Sequence, residues 1–278
     1  MSHESTTETP VTVVTITYND IVGLRRTVES LGRQTCRHFQ HVVIDGGSAD
    51  GSVDWVLGHA SSRDTRVVSE PDDGIYDAMN KGLRHADGTL VTFLNAGDAY
   101  SDARVLERAV QHHQDHGWDW GHGLARIVND DGHQVRPLGD TSYSWWRHAF
   151  GRNTIVHQTV FVRTSVLRAI DGFDLRFPVA ADFHVLLQLG RRNPPGLWSD
   201  VDVEFLVGGV SDRRFALALW EMHRARCDVM RLQGPLQALD AVWWATLVSY
   251  VYARRTAKRF ARGLGGRRAL RWWVRHGK

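Results

Sequence analysis

Residues 70–82, EPDDGIYDAMNKG, mark the passage from a strand to a helix. They follow a short run rich in β-branched residues, residues 66–69, and have the composition of a turn that opens a helix. Asp72 and Asp73 stand where a helix N-terminus favours side-chain oxygens, and Gly74 allows the backbone to turn. Carboxylates gathered near exposed backbone N–H groups at a helix start suit a polar, phosphorylated ligand.

Apolar residues recur in this predicted helix at three- and four-residue spacing and indicate a buried stripe made of Ile75, Ala78, Met79, Gly82 and Ala86. Tyr76 and Asn80 are four residues apart on a different face, while Asp77 and Lys81 form an i,i+4 pair in the favourable order. An ordinary capped surface helix would show the same features. The neighbouring strand ends therefore decide between the two interpretations.

Three more strands are predicted on either side of this segment, at residues 11–17, 41–44 and 89–94. A helical pattern follows each of them, at residues 20–34, 52–59 and 103–116. The first strand, VTVVTIT, is β-branched throughout, as in strands that are covered on both faces. Strand and helix thus alternate four times, which predicts an α/β fold with a mostly parallel sheet and helices on both faces.

Polar residues stand at the end of each predicted strand. Asp45 ends the second strand, Glu70 and Asp72 follow the third, and Asp98 follows the fourth in the segment Asn95-Ala96-Gly97-Asp98. Ligands of such sheets bind beyond the carboxyl ends of the strands, so we expect these side chains to share a site.

Two nucleotide-binding signals are missing. No G-x-G-x-x-G follows the first strand, and the chain contains no G-x-x-x-x-G-K-[ST], which disfavours a dinucleotide dehydrogenase and a P-loop phosphotransferase. Carboxylates stand where those proteins carry phosphate-cradling loops. A divalent cation between carboxylate and phosphate would account for this, and Asp98 is the natural ligand.

The charge of the chain is unevenly distributed. Ten of the 34 Lys and Arg residues lie in residues 254–278, which contain no Asp or Glu, so the first 253 residues carry 24 basic and 31 acidic side chains. The only two cysteines, Cys36 and Cys227, are far apart, which argues against a disulfide framework and for a reducing compartment. Residues 1–10 are polar, so we expect a disordered lead-in and no signal peptide.

Four motifs in order, VTVVTITYND, VVIDGGSADGS, SEPDDGIYDAMNKG and LNAGDAYSD, closely resemble family 2 glycosyltransferases with the GT-A fold. Within that family the chain is most similar to bacterial enzymes of polysaccharide and glycolipid assembly. The resemblance is strong over residues 11–100 and looser to about residue 210.

The resemblance implies a role for each motif. It places Asp45 at the nucleotide base, with Ser48 and Asp50 beside it, and Asp98 on a metal ion, Mg²⁺ or Mn²⁺, that also holds the donor diphosphate. Many members have more acids where this chain reads Asn95-Ala96-Gly97-Asp98, so one carboxylate remains. The full set of implied donor-binding residues is Thr17, Tyr18, Asn19, Asp45, Ser48, Asp50, Glu70, Asp72, Asp73, Tyr76, Asn80, Asn95, Ala96 and Gly97.

In the second half, Asp182 begins a predicted helix and matches the catalytic carboxylate of the family. An alcohol is a poor nucleophile, and a positioned carboxylate can remove its proton as it attacks. A carboxylate that merely favours the helix dipole is the alternative. His157 and Gln158 resemble a motif that borders the active site, and a buried structural histidine is the alternative there.

The C-terminal residues predict a separate helical extension. The apolar stretch of residues 241–253 is shorter than the roughly 20 residues that a membrane span needs. Aromatic residues followed by Lys and Arg fit a helix that lies on an anionic membrane surface, which implies a location on the cytoplasmic face of the cell membrane. A nucleic-acid-binding tail is the rival, but the segment is apolar as well as basic, so we expect no nucleic-acid partner.

These observations predict a disordered lead-in at residues 1–10, a GT-A domain at residues 11–212 and a basic amphipathic extension at residues 213–278. The expected activity is that of an inverting hexosyltransferase that moves sugar from a nucleotide-diphosphate donor to a lipid-linked or polysaccharide acceptor. A sugar-phosphate nucleotidyltransferase stays open, although Tyr18-Asn19-Asp20 is not the basic, glycine-rich loop that it needs. A non-catalytic nucleotide-sugar-binding module also stays open.

Overall fold

The computed structural model describes residues 9–59, 64–128, 134–206 and 215–263. Contacts divide the chain into two compact units, Met1–Arg213 and Arg214–Lys278. The predicted lead-in falls almost entirely outside the described residues, as do the final fifteen residues of the basic tail.

The strands all belong to the first unit: β1 Val11–Thr17, β2 Gln40–Asp45, β3 Asp64–Ser69, β4 Leu90–Phe93, β5 Ala99–Tyr100, β6 Trp120–Val128, β7 Gln134–Leu138, β8 Val160–Arg163 and β9 Gly196–Leu206. Its helices are α1 Ile21–Gly32, α2 Ser52–Gly58, α3 Ile75–Arg84, α4 Val105–His116, α5 Trp145–Ala149, α6 Thr164–Arg168 and α7 Ala181–Arg192, with a 3-10 helix at His157–Thr159.

One sheet joins these strands in the order β3-β2-β1-β4-β8-β6-β9-β5, with β7 paired to β6. The first four strands of this order are parallel, as predicted. Beyond β4 the sheet is mixed, because β8 runs antiparallel to both β4 and β6. The predicted edge strand at residues 202–206 is the end of the longer β9, which lies between β6 and β5.

The β-branched sequence of β1 is explained by its position. All seven residues are buried, since β2 and β4 flank the strand and helices cover both faces. Each fully buried aliphatic side chain of this kind stabilises the fold by about 1.5–3 kcal/mol. A Cβ atom on Gly82 would lie 2.2 Å from Cγ1 of Val14, so glycine is what allows α3 to pack this closely against β1.

The first turn of α3 differs from its prediction. Tyr76 is 5% exposed and Ile75 is 36% exposed, the reverse of the predicted faces. The reason is tertiary, because the ring of Tyr76 stacks on Phe173 at a centroid distance of 5.5 Å. Gly74 occupies the N-cap position without a side-chain cap, while Oδ1 of Asp72 accepts a hydrogen bond from the Gly74 N–H.

The second unit contains α8, Phe215–Met230, and α9, Pro235–Gly263. Asp240 is the one acidic residue of α9, and both its oxygens accept hydrogen bonds from Arg226, at 2.8 and 3.0 Å. His223 Nδ1 lies 2.5 Å from the same carboxylate, and Cys227 is close by. Because Arg226 donates to both carboxylate oxygens of Asp240, we interpret the cluster as a buried ion pair and not as a metal site. Among the described residues, none of the helices has the length and apolar character needed to cross a membrane.

Candidate active site

The loops that follow β1 and β2 are tied together by predicted site residues. The Asn19 N–H donates to Oγ of Ser48 at 2.7 Å, and Oδ1 of Asn19 accepts from the Ala49 N–H at 2.9 Å. Asp50 accepts from the Ile21 N–H at 2.8 Å and from Ser52. Asn19, Ser48 and Asp50 therefore fix the shape of this end of the sheet, and their hydrogen-bonding groups are largely used in doing so.

The carboxylate of Asp45 is buried and asymmetrically bonded. Its Oδ2 accepts three hydrogen bonds, from the N–H groups of Gly47 and Ser48 and from the Ser69 hydroxyl, at 3.1, 2.9 and 2.7 Å. Its Oδ1 is buried and has no hydrogen-bond partner among the described residues. A buried acceptor without a hydrogen bond costs free energy. Oδ1 of Asp45 therefore marks a position where a hydrogen-bond donor of a bound ligand fits.

The buried oxygens that lack a partner in the part of the chain that the structure describes also include Oγ1 of Thr17 and Oδ1 of Asn95. Thr17 pairs with Asp45 in the β1–β2 register, and the Ala96 N–H donates to the Ile16 carbonyl. Unsatisfied acceptors therefore collect at the ends of β2, β1 and β4. That these strand ends share a binding site stays a prediction.

The surface of the site near β2 and β3 is formed by side chains of the opening segment. Asp72 and the ring of Tyr18 lie against Gly46, where a Cβ atom would be 2.6 Å from Oδ2 of Asp72. Glu70 forms an ion pair of 3.0 Å with Lys81, whose ammonium group also donates to the Pro71 carbonyl at 2.6 Å. Lys81 thus holds this turn in place.

Asp98 lies in a tight turn after β4, in which its N–H donates to the Asn95 carbonyl at 3.0 Å and Gly97 has a φ of 93°. The Thr27 hydroxyl of α1 donates to the Asp98 carbonyl at 2.7 Å, which fixes the turn. Burial raises the pKa of Asp98 to about 7, while a hydrogen bond from Gln158 at 3.1 Å and the charge of Arg26 act in the opposite direction.

The residues around this turn fit a hard divalent cation. Mg²⁺ and Mn²⁺ prefer oxygen ligands, and the turn offers the Asp98 carboxylate together with the unpartnered side-chain oxygen Oδ1 of Asn95. A buried carboxylate with a raised pKa gains most from a nearby positive charge. Ala96 and Gly97 form part of this turn: the Ala96 N–H donates to the Ile16 carbonyl, and Gly97 adopts a positive φ.

Asp182 lies in the first turn of α7 and is partly accessible to solvent. Its Oδ1 accepts hydrogen bonds from the Tyr76 hydroxyl at 2.9 Å and from the Phe183 N–H at 2.8 Å. Its Oδ2 lies 3.6 Å from Nδ1 of His157. The carboxylate is thus oriented from two sides. Tyr76, predicted to contact the donor, instead contacts the predicted base.

The 3-10 helix at His157–Thr159 connects the two acidic side chains. His157 faces Asp182, and the next residue, Gln158, donates to Oδ2 of Asp98. Burial lowers the pKa of His157, which favours the neutral ring, and the charge of Asp182 acts in the opposite direction. The two residues therefore lie between Asp98 and Asp182, and their place at the border of an active site stays a prediction.

Other predicted or conceivable site residues are engaged elsewhere. The side-chain amide of Asn80 exchanges two hydrogen bonds with the backbone of Phe173, at 2.7 and 2.8 Å, so it anchors that segment. Asp202 is fully buried, bonded to Arg108 at 2.9 Å and to the Trp198 indole at 2.5 Å, which leaves it unsuited to act as a base. Asp73 is exposed, and its N–H donates to Asp77.

Comparison with known proteins identifies relatives of the chain. The glycosyl transferase family 2 profile matches residues 12–170, more than half of the chain. An uncharacterized glycosyltransferase of Mycobacterium tuberculosis is 36% identical over 225 residues, which cover 80% of this chain and 84% of that protein. A PGL/p-HBAD biosynthesis glycosyltransferase of Mycobacterium bovis is 32% identical over 176 residues, 62% of this chain and 66% of that protein.

Solved structures show the same fold. Residues 1–349 of S. aureus TarS in complex with UDP-GlcNAc superpose with a TM-score of 0.64 at 18% identity, covering 86% of this chain and 71% of that one. The mannosyltransferase PcManGT from Pyrobaculum calidifontis, in complex with GDP-Man and Mn²⁺, gives a TM-score of 0.57 at 16% identity, covering 92% and 79%. The architecture is therefore the GT-A fold. These two neighbours hold different bases, so the fold alone does not specify one.

Proposed function

The chain belongs to glycosyltransferase family 2, and we propose that it is an inverting hexosyltransferase that uses a nucleoside-diphosphate sugar as donor. Its acceptor is proposed to be a lipid-linked or polysaccharide hydroxyl of the cell envelope. The name of the M. bovis relative, which refers to glycolipid biosynthesis, supports this choice of acceptor class.

The observation that carries the proposal is the contrast between Asp98 and Asp182. Asp98 is buried and bonded to Gln158, whereas Asp182 is partly accessible and held by Tyr76 and His157. Two carboxylates in such different environments can take two different roles. Consecutive residues of the 3-10 helix contact the two carboxylates, so one short segment links them.

In the proposed reaction, the acceptor hydroxyl oxygen attacks the anomeric carbon while the bond from that carbon to the diphosphate oxygen breaks. The hydroxyl proton passes to Asp182, and the nucleoside diphosphate leaves with the bonding electron pair. A single displacement of this kind inverts the anomeric configuration. General-base assistance of this type typically contributes about 10²–10⁴-fold to the rate.

We assign the divalent cation, Mg²⁺ or Mn²⁺, to Asp98. When bound, it would supply positive charge to stabilise the departing diphosphate. Asp98 would hold it from a turn that Thr27 and Gln158 keep in place, so the carboxylate would need little rearrangement. Arg26 on α1 adds a fixed positive charge nearby.

For the donor we retain the strand-end residues that keep an unpartnered oxygen and those that lie beside them. Asp45 and Thr17 offer unpartnered oxygens, and Tyr18, Glu70 and Asp72 border the same end of the sheet. Asn19, Ser48 and Asp50 are proposed to shape the pocket through the two loops that they join.

We propose that α9 lies on an anionic membrane surface. Its exposed apolar residues repeat at helical spacing and comprise Leu236, Leu239, Val242 and Trp243. Asp240 is withdrawn into the ion pair with Arg226, so it does not oppose this face. The same helix continues into the acid-free basic residues that begin at position 254, and each Lys or Arg near an anionic surface contributes about 1 kcal/mol. Such a surface would bring the enzyme to a lipid-linked acceptor.

The direct test is an acceptor-dependent transfer assay. Purified protein, Mg²⁺ or Mn²⁺, a panel of UDP-, dTDP- and GDP-hexoses, and a membrane lipid extract are combined, and free nucleoside diphosphate is measured. We expect release only when both donor and extract are present, and NMR of the product should show inverted anomeric configuration. A product with retained configuration, or no transfer from any donor, would contradict the proposal.

A further inference from the structure

A small cavity lies next to Asp182, between the sheet and α7. Phe93 of β4 and Val162 of β8 line it on the side of the sheet, and Val185 and Leu186 line it on the side of the helix. Asp182, Val185 and Leu186 occupy positions i, i+3 and i+4 of α7, so they share one face of this helix. The proposed base and the cavity are therefore immediate neighbours.

The cavity opens beside the proposed base. Its apolar lining residues, which also include Val160, Leu167 and Phe173, are each no more than 6% exposed. The other two lining residues are His157 and Asp182, whose side chains are 23% and 29% exposed. A group that enters the cavity from solvent therefore passes these two side chains.

The size and the chemistry of the cavity suit a methyl group. Its volume of about 20 Å³ is enough for one group of the size of a water molecule, and an alkyl chain would not fit. A buried water needs about two to four polar partners, and the walls of this cavity are almost entirely apolar. A methyl group needs no such partner and gains free energy when it leaves water.

We propose that this cavity receives the C6 methyl group of a 6-deoxyhexose in the acceptor, and that the attacking hydroxyl is O4 of that sugar. The inference rests on the proposed function and narrows its acceptor class. The hydroxyl groups of an ordinary hexose stand beside other hydroxyl or hydroxymethyl groups. A 6-deoxyhexose instead carries a methyl group on C5, next to the carbon that bears O4. Such a sugar can place its hydroxyl at Asp182 and its methyl group in the adjoining cavity.

The parent hexose fits this arrangement less well. The chemical step is the one already described: O4 bonds to the anomeric carbon, its proton passes to Asp182, and the nucleoside diphosphate leaves with the bonding electron pair. In the parent hexose, C6 carries a hydroxyl, which would lie among apolar walls without a hydrogen-bond partner. A buried polar group left unpaired in this way typically weakens binding by about tenfold to hundredfold.

Two substitutions fill the cavity without changing its polarity. Val185→Ile adds a methyl group on the side of the helix, and Val162→Ile adds one on the side of the sheet. Both keep a β-branched side chain. Overpacking a core costs stability, so a thermal melt of each variant establishes that it is folded. Val22→Ile, the same change at an exposed position of α1, is the control.

The experiment measures transfer to octyl 6-deoxyhexosides and to the parent hexosides of the same configuration. The pairs are L-rhamnose with L-mannose, L-fucose with L-galactose, and D-quinovose with D-glucose, and the membrane lipid extract is the reference acceptor. We expect a 6-deoxyhexoside to exceed its parent by about tenfold or more in kcat/KM, with the new linkage at O4 by NMR. The isoleucine variants should lose this preference and transfer more slowly to the extract, with unchanged donor affinity, while Val22→Ile should match the native protein.

The other outcomes separate this inference from the proposed function. Equal or faster transfer to the parent hexosides, a linkage at another hydroxyl, or transfer to the extract but to no 6-deoxyhexoside would overturn the acceptor assignment and leave the glycosyltransferase proposal intact. Unchanged transfer by folded Val185→Ile and Val162→Ile, or a loss of donor affinity in both, would also overturn it. Failure to transfer to any acceptor, the extract included, would overturn the proposed function and the acceptor assignment together.

Discussion

The hydroxyl of Tyr76 donates a hydrogen bond of 2.9 Å to Oδ1 of Asp182, although 106 positions separate the two residues in the chain. The tyrosine ring is buried against Phe173, so the hydroxyl has little freedom. The Val179 carbonyl is a second acceptor at 3.1 Å. Tyr76 therefore joins the donor-side helix α3 to the start of α7 and orients the proposed base.

Tyr76→Phe should lower the transfer rate by about tenfold while donor affinity stays within twofold. The variant keeps the buried ring but loses a hydrogen bond to a charged group, which is worth about 1.5–3 kcal/mol. Tyr143→Phe is the control, since its buried hydroxyl has no partner in the described structure. Equal rates in both variants would contradict the orienting role.

Asp98→Asn should reduce transfer by about 10²-fold or more, because the metal would lose its carboxylate ligand and the diphosphate its charge stabilisation. EDTA should have the same effect on the native protein, and added Mn²⁺ should restore the native protein but not the variant. Asp115→Asn, an exposed change on α4, should respond to EDTA as the native protein does. Full activity in EDTA would rule out the assigned metal role.

Stability should fall on acidification because of His41. This histidine is fully buried in β2 with Nε2 3.0 Å from the Thr15 hydroxyl, and burial lowers its pKa to about 3. Between that value and the ordinary value of about 6.5, the unfolded chain binds a proton that the folded chain does not. The free energy of unfolding should therefore fall by about 1 kcal/mol per pH unit as pH drops through this window.

The check is urea unfolding at several pH values for the native protein and for His41→Gln. The glutamine can still bond to Thr15 but does not titrate, so the variant should show a shallower loss of stability with falling pH. Parallel pH dependences in the two proteins would show that His41 does not contribute.

Replacing Leu239 and Trp243 by serine should abolish sedimentation with anionic vesicles and leave donor binding unchanged. Both side chains belong to the exposed apolar face of α9, and the change removes two of its four exposed apolar side chains. Leu57→Ser, which removes an exposed leucine from α2, serves as the control. Binding that persists in the double variant, or tight salt-sensitive binding of the native protein to DNA, would contradict the membrane assignment.

The sequence predicted the local parts of this structure well. β1 is β-branched because it is buried on both faces, and the acids at the ends of β2, β3 and β4 lie at one edge because these strands are parallel. Contacts between segments that are far apart in the chain could not be predicted from the sequence. Tyr76 was placed outside the buried stripe of α3 because its partners, Phe173 and Asp182, lie about a hundred residues further on.

The roles of individual polar residues were also hidden for a physical reason. Asn80 and Asp50 are residue types that commonly bind ligands. In this structure the Asn80 amide bonds to the backbone of Phe173, and the Asp50 carboxylate accepts hydrogen bonds within the loops after β1 and β2. Residue type reveals which hydrogen bonds a side chain can make, and only the fold reveals which of them remain available. The same distinction leaves Oδ1 of Asp45 as the open acceptor.

The central claim is that Asp182 is the base, and Asp182→Asn tests it most directly. Donor affinity and transfer rate are measured on one preparation, beside Asp171→Asn, an exposed residue with a φ of 61° that asparagine tolerates. The account predicts that Asp182→Asn binds donor normally and transfers about 10²–10⁴-fold more slowly, while Asp171→Asn is unaffected. Near-normal transfer by Asp182→Asn would contradict it.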